Sequence, residues 1–248
     1  ASNWEVDRLY RLVTILRHEA AHPLLMAATK LGEKKFTTLL KFLERFVFRY
    51  INIVGAHPSP LYSPYYTEAV AMRSAAASYS LDSLKGKLGN LLTDRAPAQQ
   101  FRTALLAKLQ YSDDSARNRQ IKHFLTTLET YHASADKGDK GKKLKANDMT
   151  VFDLASTTLE HVYPQNAASA LTDSKLEPLK ARLGNLTILS GSDNSELGNV
   201  SFAKKKAVFS KSTVTLNREL STYSSWDEVA LEKREQRYLD LAIKVFDV

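Results

Sequence analysis

The sequence predicts a mainly α protein of the α+β kind, with an N-terminal helical bundle followed by a small strand, strand, helix unit and a closing C-terminal helix. Three observations predict it. Residues 1–133 carry apolar side chains at helical spacing in segment after segment. Residues 134–148, SADKGDKGKKLKAND, interrupt that pattern with five lysines and two glycines. Beyond them, short β-leaning runs such as Thr157-Thr158-Leu159 and LTIL at 186–189 appear.

The clearest helix covers 33–54. There Phe36, Leu39, Leu40, Leu43, Val47, Tyr50, Ile51 and Val54 fall on one stripe, and Gly55 and Pro58 end it. Further helices are predicted near 4–20, 23–31, 65–79, 97–109 and 115–132, the last burying Ile121, Phe124, Leu125, Leu128 and Tyr131. Amphipathic helices joined by short loops imply a bundle. The segment 134–150 reads as a basic linker or exposed loop that could touch DNA backbone. After it come strands at 157–162 and 186–189, with a short helix around 174–181 between them. A helix beginning near Asn194 or Phe202 then runs through Lys204-Lys205-Lys206. A final helix over about 225–246 places Tyr238, Leu241, Ala242 and Val245 on one stripe. The expected organisation is therefore 1–133, 134–150 and 151–248. LGNLLT at 88–93 echoes LGNLTI at 183–188, but the likeness stops there and reads as coincidence.

Composition narrows the function classes. There is no cysteine, which excludes disulfides and thiolate-held zinc and fits a reducing cytoplasm. No run approaches the roughly 18 uncharged apolar residues of a membrane span. Glu5, Asp7, Arg8 and Arg11 make the first twenty residues unlike a signal peptide. The net charge of +8 is uneven: residues 151–248 hold 12 Lys and Arg against 13 Asp and Glu, which leaves 23 against 14 in 1–150. A basic surplus suits a polyanionic partner, since Lys and Arg displace condensed counterions from phosphates, and it equally suits a merely solvated surface.

Two stretches carry histidine beside acid. His18-Glu19-Ala20-Ala21-His22 matches the H-E-x-x-H zinc-protease pattern. Pro23, however, disfavours helical geometry at His22, so the two imidazoles are not expected to share a helical face. The expectation here is a surface His18 and a His22-Pro23 junction between helices. The second stretch is TTLEHVYPQN at 157–166. Neighbours in a regular strand face opposite sides, so Glu160 and His161 can serve one site only where the strand ends, which Pro164 suggests. Alone, such a pair reads as a structural contact. Downstream, Asn185 follows Gly184 in a turn before an apolar strand, Asn194 stands near a helix start, and Lys204 and Lys205 form a basic cluster. A carboxylate and an amide are oxygen ligands suited to Mg²⁺, and an imidazole beside that ion can take a proton from water.

Taken together, EHVYPQN at 160–166, RLGNLTIL at 182–189, Asn194 and NVSFAKKK at 199–206 resemble HNH nucleases of the His-Me finger type. More narrowly, they resemble the C-terminal domain of GmrSD and SspE-type restriction proteins. LERFVFRYINIVG at 43–55 is similar, more loosely, to the region preceding that domain. The resemblance implies a ββα-metal fold with His161 as general base, Glu160 and Asn194 as metal ligands, and Asn185 tying the loop to the strand. Lys204, Lys205 or Arg182 would contact DNA phosphates. Asn194, where many HNH enzymes have a third histidine, implies Mg²⁺ or Mn²⁺. The implied partner is double-stranded DNA, from phage or modified. The family also implies an N-terminal nucleotide-binding domain, whose motif is missing from this chain, and hence a longer protein. Two other readings stand beside this one: a non-catalytic DNA-binding module on a degenerate nuclease fold, and, more distantly, the zinc protease.

Overall fold

The computed structural model describes residues 3–140, 144–147, 153–154, 156–189 and 198–248. The elements are α1 (Asn3–Tyr10), α2 (His22–Ala28), α3 (Glu33–Val47), α4 (Ser59–Ser74), α5 (Asp82–Arg95), α6 (Ala98–Lys108), α7 (Ser115–Asp136), β1 (Thr158–His161), β2 (Leu186–Leu189), α8 (Phe202–Lys211), α9 (Thr215–Leu220) and α10 (Glu228–Val245). No described helix is long and apolar enough to cross a membrane. Two compact units emerge among the described residues, 3–105 with 140 and 245–248, and 106–139 with 144–147, 153–154, 156–189 and 198–244.

The first unit is helical. The stripe expected over 33–54 is continuous, but it winds as α3 and then as a wider π turn over Phe48–Ile53. Gly32, at φ 77°, caps α3 from a conformation that favours glycine. Phe46 and Tyr50 stack at 5.2 Å, and Phe48, Phe101 and Phe246 form an aromatic cluster. Buried guanidinium groups bind this unit's carbonyls: Arg45 donates to Val245 O at 3.0 Å, and Arg49 to Ala96 O at 2.8 Å. α5 is not among the helices named from the sequence, although LGNLLT at 88–93 continues a helix-like apolar pattern; Gly86 and Gly89 dilute that pattern, while Leu84, Leu88 and Leu92 supply the buried stripe. It contains LGNLLT, whereas LGNLTI forms a 3₁₀ turn and a strand, so the two similar strings take different structures.

The second unit is built on one antiparallel strand pair, with Glu160 opposite Thr187 and His161 opposite Leu186. Its core contains Val162, Tyr163, Leu176, Leu189, Phe209, Leu220, Trp226 and Leu231. α7 belongs to this unit: Phe124 meets Tyr238 edge-on, and Glu129 accepts the amides of Thr215 and Leu216 at the start of α9. Residues 134–136 of the expected linker continue α7. Within 144–147, Asn147 N donates to Thr130 O at 2.8 Å and Lys145 N to Ser134 Oγ at 3.0 Å, so the described part of that segment is pinned to α7. Between the strands, the short helix expected at 174–181 is a single 3₁₀ turn, Glu177–Leu179.

Candidate functional site

β1 ends where Pro164 suggests. Val162 N donates to Asn185 O at 2.9 Å, and the next amide, Tyr163 N, goes to the Asn185 side-chain oxygen at 2.7 Å. Asn185 is fully buried. Its Oδ1 also accepts the Trp226 indole N–H at 3.1 Å, and its Nδ2 donates to Tyr163 O and Lys180 O, each at 3.0 Å. One amide side chain thus closes the end of β1 against the turn that begins β2.

That turn is clamped from the other side by α10. Arg234 donates to Gly184 O and Leu186 O at 3.1 and 3.0 Å, with its guanidinium 4.7 Å from the Tyr238 ring centroid. A Cβ at Gly184 would lie 2.5 Å from Leu231 O, so only glycine lets the turn approach α10 this closely.

His161 is buried, 7% exposed, with its ring edge-on to Tyr111 at 4.4 Å. Among the described residues its Nε2 has no hydrogen-bond partner. Burial, reinforced by the charges of Lys205 and Lys180, lowers its pKa from about 6.5 to about 4, so the imidazole is neutral at physiological pH. Neutral imidazole is the form that can accept a proton.

Glu160 keeps 15% of its side chain open, while its Oε1 accepts a bond from the ammonium of Lys205 on α8. That ammonium also donates to the backbone carbonyl of His161. The Lys205 side chain is 1% exposed, and burial lowers its pKa although Glu160 raises it. The exposed phosphate contact expected of Lys205 is therefore not what its position provides; the charge is enclosed between α8 and β1. Lys204, one residue earlier, is exposed. Arg182 pairs with Glu235, and with Glu232 at 3.6 Å, both on α10; the bond to Glu235 raises its pKa. Asn194 lies outside the described residues, and so does the possible helix start beside it.

The sequence thus brings Glu160, His161, Asn185 and Lys205 to one end of the strand pair. It gives no sign of Tyr111, fifty residues upstream of His161, or of Lys180. Lys205 did leave a signal, since it sits three residues after Phe202 and four before Phe209, on the buried stripe of α8.

The zinc-protease pattern does not assemble. His18 precedes a 3₁₀ turn with ψ 69°, and His22 begins α2, so the two do not share a helix face. Contrary to expectation His18 is not at the surface: it is 4% exposed and bonds Tyr65 Oη at 3.0 Å. Among the described residues no cluster of three or more His, Cys, Asp or Glu could hold a metal.

In comparison with known families, the family model for GmrSD restriction endonucleases, C-terminal domain, matches residues 97–241. A comparison with curated proteins returned no match. The matched region takes in α7, both strands, α8, α9 and most of α10, and with them every residue of the site described above.

Proposed function

The chain belongs to the GmrSD restriction endonuclease C-terminal domain family, and on that premise we propose that it is a metal-dependent DNA endonuclease of the HNH type. It hydrolyses phosphodiester bonds in restriction or defence against phage, together with a nucleotide-binding domain outside this chain. The observation that carries the reading is the neutral imidazole of His161, whose Nε2 has no partner among the described residues, at a fixed strand end beside the Glu160 carboxylate.

His161 takes a proton from water as the water oxygen bonds to phosphorus and the ester oxygen leaves. A positioned general base of this kind contributes about 10²–10⁴-fold. Asn185 and Arg234 hold the strand end and turn, which fixes where the imidazole sits. Nε2 is buried and the Tyr111 ring contacts the imidazole, so proton transfer to Nε2 requires this cover to move. Lys204 is an exposed cation that suits a phosphate.

A divalent ion fits the chemistry here: Glu160 is a hard oxygen donor, and its carboxylate already faces a cation, the Lys205 ammonium. Glu160 and Asn194 would hold Mg²⁺ or Mn²⁺. When bound, the ion supplies charge stabilisation to the phosphate and the leaving oxygen.

Supercoiled plasmid incubated with the purified chain tests the reading. Relaxed or linear product is expected with Mg²⁺ and none with EDTA, and Glu160→Ala should shift the Mg²⁺ titration to higher concentration. Retardation of the plasmid without cutting would favour a DNA-binding module instead, and an unchanged titration would remove Glu160 as a ligand.

A further inference from the structure

Lys205 is the side chain of the site that a purely structural account explains least. An ammonium buried to 1% exposure gives up its hydration, and a methionine would fill similar space without that loss. Its two acceptors are the Glu160 carboxylate and the His161 carbonyl, consecutive residues to which the proposed reaction gives the metal and the proton. The cation arrives from α8, so a single contact ties the helix to both reacting residues at the end of β1. A divalent ion on Glu160 Oε1 and this ammonium would repel across a few ångströms, and both cannot hold the same oxygen.

Resting on the metal-dependent reading above, we propose that Lys205 is the resident cation of the site, a positioning residue. It holds Glu160 and the end of β1 in place before metal arrives and yields Oε1 to the divalent ion. The ammonium then retains the His161 carbonyl, so β1 stays anchored to α8 in both states.

Mn²⁺ titration, followed by the paramagnetic resonance of the free ion, tests this without reference to cutting. Removing a unit charge beside the ion should tighten Mn²⁺ binding to Lys205→Met by roughly tenfold or more at low salt. Lys205→Arg, which keeps the charge, should stay near the wild type, and Glu160→Gln combined with Lys205→Met should abolish the gain. Plasmid cleavage by Lys205→Met should fall despite tighter metal binding, because Glu160 and β1 have lost their anchor. In the wild-type chain, acylation of Lys205 read by peptide mass spectrometry should rise when Mn²⁺ is added; this measurement decides the matter if Lys205→Met fails to fold. Equal or weaker Mn²⁺ binding by a folded Lys205→Met, or acylation indifferent to Mn²⁺, overturns the role of Lys205 alone. Absence of Mn²⁺ binding by every variant overturns the metal reading and this inference together.

Discussion

Replacing Asn185 by alanine tests how the site is held. The substitution strips partners from four groups at once, the buried Tyr163 N, Tyr163 O and Trp226 Nε1 and the part-buried Lys180 O. An unsatisfied buried donor or acceptor costs about 1–3 kcal/mol. The four are neighbours and the space left by the amide admits water, so the sum is less than additive, and we expect a loss of about 3–5 kcal/mol. Against the roughly 5–15 kcal/mol that stabilises a typical domain, that is a large share. It corresponds to a fall in Tm of about 6–20 °C. The chain has two tryptophans, Trp4 and Trp226. In a Trp4→Phe background, urea unfolding followed by fluorescence therefore reads the indole that loses its acceptor. Asn185→Asp should cost at least as much, because it keeps the acceptor but sets a carboxylate against two carbonyl oxygens. A loss below about 1 kcal/mol in both variants would refute the claim that this one amide closes the strand end.

Two other predictions concern the rest of the fold. Gly184→Ala places a methyl group 2.5 Å from Leu231 O and 2.9 Å from Glu235 Cβ, so the turn or α10 must shift, at a cost of about 1–3 kcal/mol in urea unfolding. A variant as stable as wild type would show that the close approach is unnecessary. His18, buried against Tyr65, has its pKa lowered from about 6.5 to about 4, burial being the larger cause and the neighbouring charge of His22 the lesser. The folded state favours neutral His18, so its contribution is intact above pH 6.5 and is lost as pH falls towards 4. At about 1.4 kcal/mol per pH unit, that window is worth about 3 kcal/mol. His18→Gln should flatten this acid limb in denaturation followed by circular dichroism, and an unchanged limb would mean that His18 titrates normally.

Much of the site is legible in the sequence because its signals are local. LTIL at 186–189 is bracketed by a turn and matches β2 residue for residue, and Pro164 correctly ends β1. The tie from Asn185 to Tyr163 could be anticipated from the family pattern, but the Trp226 indole on the same oxygen joins residues 41 apart and could not. Lysine runs are ambiguous for a different reason. Lys204, Lys205 and Lys206 look alike as a string, and only the Phe202–Phe209 stripe of α8 separates the enclosed middle lysine from its exposed neighbour. α5 is only partly legible, its helix-like pattern showing at 88–93, because two glycines weaken the stripe that Leu84, Leu88 and Leu92 complete. The position of α7 is a tertiary matter. Its apolar face is plain in the sequence, but no periodicity tells that it packs in the unit that holds the strands rather than in the N-terminal bundle.

The central claim is that the neutral imidazole at the end of β1 takes the proton from the attacking water. Plasmid cleavage by His161→Ala, compared with wild type at equal Mg²⁺ and with retention of fold checked by circular dichroism, tests it most directly. The account expects the rate to fall by about 10²-fold or more. A folded variant that cuts at the wild-type rate would contradict it.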